Sequence, residues 1–173
     1  PDYFQGMAPG SLGEGRNLQV RPFEAKSLGK WHDQLRAAPA VTHRATFEEV
    51  AGWGGRAKPQ NWDRQLIRER MEQDIRTFGA GLIGHLMSAV LRRNIPFHLE
   101  TPVQSLIVED GRVQGVIARQ GDRDIRIMAR RGVVLATGSN VRNEALTERT
   151  SEFHDTNTLL PPRVDGDAMV IAG

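Results

Sequence analysis

The most regular hydrophobic pattern in the chain lies between residues 101 and 128. Val103 to Glu109 is rich in β-branched and aliphatic residues. Residues 112–120 then follow a period of two, with residues 113, 115 and 117 on one face and residues 114, 116 and 118 on the other. Asp110-Gly111 separates the two segments and is typical of a tight hairpin turn, because glycine tolerates the positive φ that such turns require. A second turn at Gly121-Asp122 precedes another alternating segment, which ends at Met128. The pattern predicts a three-stranded β-meander.

The pattern changes after the predicted meander. Residues from Gly132 to Ala136 are apolar without alternation, which is typical of a strand covered on both faces. The small residues Thr137, Gly138 and Ser139 follow at once. A buried strand that ends in a small-residue turn lets backbone amides approach a ligand at the sheet edge where α/β proteins bind cofactors. We therefore predict a buried strand over residues 132–136 and a candidate ligand-binding turn after it.

Helical patterns precede the predicted meander. Asp63 is a predicted N-cap of a helix reaching about Phe78, with an apolar stripe at residues 67, 71, 75 and 78 and an ion pair between Glu72 and Arg76. A second helix is expected to start in the glycine-rich stretch at residue 79, to pack inward through residues 82, 86, 90 and 91, and to end before Pro96. Residues 97–100 predict a short strand, and residues 143–148 predict one or two helical turns.

Residues 79–84, GAGLIG, match the pattern G-x-G-x-x-G of dinucleotide-binding loops. Glu100 lies about 20 residues beyond the first glycine, where such a unit places its ribose-binding acid. The fingerprint also requires a buried parallel strand before that glycine, whereas residues 72–78 are charged and helix-prone. A glycine-rich helix start is therefore the favoured interpretation. The alternative is a small dinucleotide-binding module, for NAD(P) or FAD, with Gly79–Gly84 as its phosphate loop.

Residues 1–62 lack periodicity, are interrupted by glycines and contain all three tryptophans, Trp31, Trp53 and Trp62. We expect an irregular segment that its tryptophans dock onto a domain formed by residues 63–173. If the tryptophans instead form an exposed patch, the chain is a non-catalytic interaction domain.

Composition excludes several classes of protein. The absence of cysteine rules out disulfides and thiolate chemistry, and the histidines lack metal-ligand spacing, so no metal site is expected. Net charge is only +2, and Arg92-Arg93 and Arg130-Arg131 lack the interleaved aromatics of a nucleic-acid groove. No apolar run is long enough to span a bilayer. A cytoplasmic globular protein is expected, and the missing initiator methionine suggests a piece of a longer chain.

Specific residues within this pattern resemble a known family. Thr101-Pro102-Val103, the block LIVEDGRV at 106–113, Gly115-Val116 and GVVLATG at 132–138 are similar to the FAD-binding domain of the fumarate reductase/succinate dehydrogenase flavoprotein superfamily, which includes 3-ketosteroid dehydrogenases. DGDAM at 165–169 resembles that family's GDG element, which lies near the flavin. Ser139 and Asn140 depart from the family's pattern, while Asn143 agrees with it.

The resemblance implies an α/β fold, α+β within this chain, that forms part of a Rossmann-like FAD-binding domain with flanking helices. It implies that the backbone of Val103 meets the adenine of FAD, and that Ala136, Thr137, Gly138 and Ser139 line the adenosine and ribose. Gly166 and Asp167 would lie near the flavin. Catalytic residues stay unknown, because the resemblance puts them in a separate substrate domain.

The function implied by the resemblance is that of an FAD-dependent oxidoreductase. The parent protein would reduce or dehydrogenate a C–C bond of a dicarboxylate- or ketosteroid-like small-molecule substrate, together with an electron donor or acceptor. The isolated chain is expected to be inactive and to bind FAD weakly or not at all.

Overall fold

The computed structural model describes residues 9, 18–36, 44–150 and 164–172. The chain divides into two compact units, Pro1–Pro96 and Phe97–Gly173. The boundary after residue 62 drawn from the sequence falls within the first of these units and stays a prediction about the parent protein's domains.

In its described part, the first unit combines helices with a small antiparallel sheet. Its elements are strand β1 (Phe23–Glu24), a kinked 3₁₀ segment (Ala25–Gln34), helix α1 (Phe47–Gly52), a short 3₁₀ turn (Pro59–Asn61), helix α2 (Arg64–Glu72), strand β2 (Ile75–Arg76) and helix α3 (Phe78–Arg92). Strands β1 and β2 pair antiparallel. A buried cluster of Phe23, Ala25 and Leu28 forms the core, and Trp31, Leu35, Met87 and Leu91 pack against it.

Helix α2 starts as predicted but ends early. The Asp63 carboxylate accepts a hydrogen bond from the Leu66 amide at 2.9 Å, which confirms the N-cap. The helix stops at Glu72, and the expected continuation to Phe78 is wrong because Asp74 adopts a left-handed backbone (φ +52°) that turns the chain into β2. Arg76 forms its ion pair with Asp74 at 2.7 Å, so the predicted ion pair between Glu72 and Arg76 is wrong.

Asp74 joins the segments around β2. Its carboxylate accepts hydrogen bonds from Arg76 at 2.7 Å and Arg44 at 2.6 Å, and His32 Nε2 lies 2.8 Å away. Arg76 also donates to the Leu35 carbonyl at 2.8 Å. The hydrogen bonds from Arg76, followed by those from Arg44 and His32, hold the pKa of Asp74 far below its usual value.

A second ion pair anchors α1 to α2. Arg70 binds both carboxylate oxygens of Glu49 at 2.7 Å, and Glu49 with Thr46 forms the capping box of α1. The Arg70 guanidinium is the main reason why the pKa of Glu49 is lowered to about 2. Because the capping glutamate is also the ion-pair partner, the start of α1 depends on α2.

Helix α3 packs through its glycines. A Cβ at Gly84 would overlap the Phe23 ring, and one at Gly81 would lie 2.9 Å from the Arg76 carbonyl oxygen. The prediction that small residues allow close approach to the sheet is confirmed. The predicted inward face is partly right: Leu91 packs against the core as expected, together with Met87, whereas Leu82 and Leu86 are about half exposed. The contacts of Gly81 and Gly84 place the glycine face of the helix, rather than Leu82 and Leu86, against β1 and β2.

The second unit contains the predicted meander. Strands β3 (Val103–Glu109), β4 (Arg112–Gln120) and β5 (Arg123–Met128) form an antiparallel sheet in the order β3-β4-β5. Helices α4 (Glu144–Thr150) and α5 (Asp167–Ala172) follow, and α5 packs against β3. A Cβ at Gly115 would overlap the Ile127 carbonyl oxygen, so this glycine lets β5 approach β4. The α+β character expected of the chain is confirmed.

Two predicted strands are wrong. Residues 132–136 are not paired with any strand in the part of the chain that the structure describes, and Val134 is 89% exposed. An apolar extended segment becomes a buried strand only where neighbours take its backbone hydrogen bonds and layers cover both faces. Residues 97–100 form no strand either, and Glu100 adopts a left-handed backbone (φ +50°) that interrupts an extended run.

Two glycine substitutions in α3 should have opposite effects on stability. Gly84→Ala should lower the free energy of unfolding by about 1–3 kcal/mol, because its methyl group overlaps the buried Phe23 ring. Gly79→Ala should raise it by about 0.5–1 kcal/mol, because this exposed position has no atom within 4 Å of an added Cβ. Urea unfolding followed by circular dichroism measures both. Equal effects from the two substitutions would contradict the proposed packing.

The first unit should lose stability in acid. Glu49 and Asp74 have lowered pKa values, so their contributions are complete above the unfolded values of 4.5 and 3.8. The contribution of Glu49 is lost as the pH falls towards about 2, and that of Asp74 is lost at still lower pH. Glu49→Gln should cost about 1–2 kcal/mol at pH 7 and reduce the acid sensitivity. Tryptophan fluorescence during urea unfolding at pH 7, 4 and 2.5 measures this. Exposed Glu48→Gln in the same helix is the control, and a matching loss there would refute the role of the Glu49–Arg70 pair.

Candidate functional site

The candidate site is formed where the turn at residues 136–143 meets the segment at residues 164–172, within the second unit. The Thr137 hydroxyl accepts a hydrogen bond from the Ala168 amide at 3.0 Å, in the first turn of α5. The Asn143 side chain donates to the Asp165 carbonyl at 3.1 Å. These bonds connect the two glycine-containing segments that the sequence singled out separately.

Glycines allow this close contact. Gly138 (φ +89°) and Gly166 (φ +83°) both have left-handed backbones. A Cβ at Gly138 would lie 2.7 Å from Val164, and one at Gly166 would lie 2.7 Å from Asn140 Cβ. Within this structure both glycines are therefore required by contacts inside the protein, whereas the sequence argument explained Gly138 only by the approach of a ligand.

Several residues of the site were missed in the sequence argument. Asn143 Oδ1 accepts from the Leu146 amide at 3.1 Å and so caps α4. Asn140 donates to the Thr150 hydroxyl at 2.9 Å, and the buried Thr147 donates to the Asn140 carbonyl at 3.2 Å. An Asn one position before a helix start is a recognisable N-cap signal, but no local pattern indicates the contacts of Asn140 and Thr147. These hydrogen bonds fix the turn at residues 136–143 against α4.

Val103 opens the edge strand β3. It lies opposite Ala118, and the Arg119 amide donates to the Pro102 carbonyl at 2.9 Å. In an antiparallel ladder, such a hydrogen bond between the residue before one member of a pair and the residue after the other shows that the pair itself is not hydrogen-bonded. The N–H and C=O of Val103 are therefore directed away from β4, at the open edge of the sheet. This geometry provides the outward backbone donor and acceptor that an adenine contact requires.

The predicted residues differ in their accessibility. Ala136, Thr137, Gly138 and Asp167 are exposed, while Ser139 is half-buried and its hydroxyl accepts from the Val141 amide at 3.3 Å. Gly166 is buried beneath Asn140 and Leu146. The exposed residues can contact a ligand directly, whereas Gly166 can act only by shaping the turn before α5.

Two surfaces of the second unit present accessible backbone. The edge of β3 at Val103 and the exposed turn at residues 136–138 can receive a base and a ribose. The Ala168 amide is already bonded to Thr137, so it is engaged within the protein. Within the described ranges, no group of three or more histidine, cysteine, aspartate or glutamate side chains could hold a metal ion.

Gly79–Gly84 does not form a phosphate loop. All of these residues lie inside α3, and the Gly81 amide donates to the Thr77 carbonyl at 3.0 Å. The preceding strand β2 has only two residues and pairs antiparallel with β1. A phosphate loop needs a buried parallel strand and open amides before the helix, so the alternative of a small dinucleotide-binding module built on this loop is not supported.

The tryptophans pack against other side chains, although Trp62 also lines a surface groove. Trp31 packs against the core cluster, and Trp53 and Trp62 lie against each other with ring centroids 6.3 Å apart. All three are half-buried. The expected docking of residues 1–62 onto a domain of residues 63–173 stays a prediction. None of the first unit's helices in the described part is long and apolar enough to cross a membrane, and the same holds for the described helices of the second unit.

The fold of the chain is similar to part of a known dehydrogenase structure. The chain superposes with a TM-score of 0.82 on 3-ketosteroid delta1-dehydrogenase from Sterolibacterium denitrificans, solved in complex with 1,4-androstadiene-3,17-dione. The two sequences are 30% identical, and the match covers 99% of this chain and 34% of the dehydrogenase chain. The chain belongs to the FAD binding domain family, whose model matches residues 9–172.

Curated relatives agree with this assignment. The chain is 29% identical over 162 residues to 3-oxosteroid 1-dehydrogenase of Mycobacterium tuberculosis, in strains H37Rv and CDC 1551. The match covers 84% of this chain and 28% of the relatives' length, so the chain spans less than a third of each. The resemblance to FAD-binding flavoproteins noted from the sequence is confirmed.

Replacing Thr137 tests the hydrogen bond that connects the turn at residues 136–143 to α5. Thr137→Val removes the acceptor of the Ala168 amide and should lower the free energy of unfolding of the second unit by about 0.5–1.5 kcal/mol. Hydrogen exchange of the Ala168 amide should become faster, while Thr137→Ser, which keeps the hydroxyl, should retain most of its protection. If the valine variant protects this amide as well as wild type does, Thr137 does not hold α5.

Proposed function

We propose that this chain forms the adenosine-binding portion of an FAD domain in a longer ketosteroid dehydrogenase. The observation that carries the proposal is the backbone of Val103, whose N–H and C=O are directed outward from the edge of β3. Adenine presents a ring nitrogen and an amino group side by side, so an adjacent backbone donor and acceptor can bind its edge.

The other predicted site residues have separate roles in this proposal. Ala136, Thr137 and Gly138 present exposed backbone to the ribose, with Ser139 supporting the turn through its bond to the Val141 amide. Asp167 is exposed at the start of α5 and is available to the cofactor, while the buried Gly166 shapes the turn that carries it. Bound FAD would supply the two-electron chemistry, and the residues of this chain would orient its adenosine end.

The proposed reaction is dehydrogenation of a C–C bond in a 3-oxosteroid-like substrate. It is supported by the names of the curated relatives and by the steroid-bound structural relative. These names favour a ketosteroid over the dicarboxylate that the sequence left open. No catalytic residue is assigned to this chain. The electron acceptor or donor and the cytoplasmic location stay predictions.

A longer polypeptide containing this chain tests the proposed function. Purified with FAD, it should bind about one flavin per chain and reduce an artificial electron acceptor in the presence of a 3-ketosteroid, but not of succinate. The 173-residue chain alone should bind FAD weakly, because Gly79–Gly84 lies inside α3 and provides no phosphate loop. Tight stoichiometric binding by the short chain would contradict this division of the site.

Val103→Pro in the longer polypeptide separates binding from folding. Proline removes the outward N–H, and it is tolerated at the first residue of an edge strand whose N–H is not used in the ladder. We expect about a tenfold weaker FAD affinity, measured by flavin fluorescence during dilution, because one hydrogen bond is lost. Val103→Ala keeps the backbone donor and is the control. Unchanged affinity in a folded proline variant would refute the adenine contact.

A further inference from the structure

A groove of about 350 Å³ lies on the first unit, and none of its lining residues is among those assigned to the FAD site. Its walls come from the 3₁₀ turn and from one face of α2, and its lining consists of Pro59, Trp62, Arg64, Ile67, Arg68 and Met71. The α2 residues follow the spacing i, i+3, i+4, i+7, so they share a single helical face. The FAD site uses none of this surface.

The floor of the groove is apolar and held in place. Trp62 donates its indole N–H to the Gly55 carbonyl at 3.1 Å, and its ring rests against Trp53. Ile67 is 7% exposed at the bottom of the groove, whereas Met71 is 50% exposed at its end. A fixed indole beside a flexible, half-exposed thioether gives a surface that can pack closely against apolar side chains.

The rim of the groove carries two arginines, Arg64 and Arg68. Arg64 and Arg68 are one helical turn apart and exposed, and neither forms an ion pair in the described part of the chain. Arg70, on another face of α2, is instead bound to Glu49. The lining contains no acidic residue. A ligand that fills the floor therefore gains from carboxylates placed at the rim.

The size and composition favour a protein partner. Tryptophan, methionine and arginine are the residue types enriched in protein–protein interfaces. The volume lies near the lower limit for small-molecule pockets, about 300–1,000 Å³, so a small ligand would remain largely in water. A helix laid along the groove would bury its apolar stripe and place flanking carboxylates at both arginines.

We propose that this groove docks an amphipathic segment of a separate protein, in which apolar side chains are flanked by carboxylates. Trp62, Ile67 and Met71 receive the apolar stripe, and Arg64 and Arg68 bind the acids. Recognition rests on apolar packing and is oriented by charge.

A fluorescently labelled helical peptide of about 18 residues, with leucines spaced i, i+3, i+4, i+7 and glutamates beside them, tests the proposal in polarisation titrations with the full chain. Binding should weaken with added salt. Arg64→Glu/Arg68→Glu should bind at least about tenfold more weakly, and should regain binding to the same peptide with lysines in place of the glutamates. Arg92→Glu/Arg93→Glu, at the end of α3, makes the same charge change outside the groove and should leave binding unchanged.

Three results would overturn the proposal. Equal binding of the glutamate and lysine peptides to wild type would remove the role of charge. Displacement of the peptide by laurate below its micelle concentration, with saturable laurate binding that Met71→Ser abolishes, would make the groove a small-molecule site. Self-association of the chain in sedimentation, lost in the Arg64→Glu/Arg68→Glu variant, would identify a second copy as the occupant. Met71→Ser changes only an exposed side chain, so circular dichroism should show an intact fold.

Discussion

The organisation of the first unit depends on one carboxylate in a left-handed turn. Asp74 lies at φ +52°, a conformation that short polar residues tolerate better than most, and its partial burial requires hydrogen-bonding partners for its charge. Arg76, Arg44 and His32 provide them from separate segments of the chain. The same turn ends α2 and starts β2, so the polar cluster determines where the neighbouring elements begin and end.

Glycine has a corresponding role wherever elements approach each other. In α3, Gly81 and Gly84 admit the Arg76 carbonyl and the Phe23 ring, and in β4, Gly115 admits the backbone of β5. At the candidate site, Gly138 and Gly166 combine the lack of a side chain with a left-handed backbone. A glycine pattern that resembles a nucleotide fingerprint can thus arise from helix packing alone, and only the preceding strand distinguishes the two.

Features determined by near neighbours in sequence could be predicted, and those that depend on distant partners could not. The meander follows from alternation and two glycine turns, and the cap at Asp63 follows from one side chain and one amide. The turn that ends α2 depends on hydrogen bonds with the side chains of residues 32 and 44, which no local pattern indicates. The strand predicted at residues 132–136 failed for the same reason, because burial requires neighbours that this part of the chain does not contain.

At the candidate site too, features set by near neighbours in sequence could be predicted, whereas those set by distant partners could not. Ala136, Thr137 and Gly138 could be selected from sequence because small residues after an apolar run are a local signal, but their contact with Ala168 and Val164 spans about thirty residues. The direction of the Val103 backbone depends on the register with β4, which the bond between Arg119 and Pro102 reveals. In this unit the inward hydrogen bonds of the turn and of α5 are made by protein groups. The edge of β3 and the exposed turn are therefore the surfaces through which a nucleotide can be recognised without disrupting the fold.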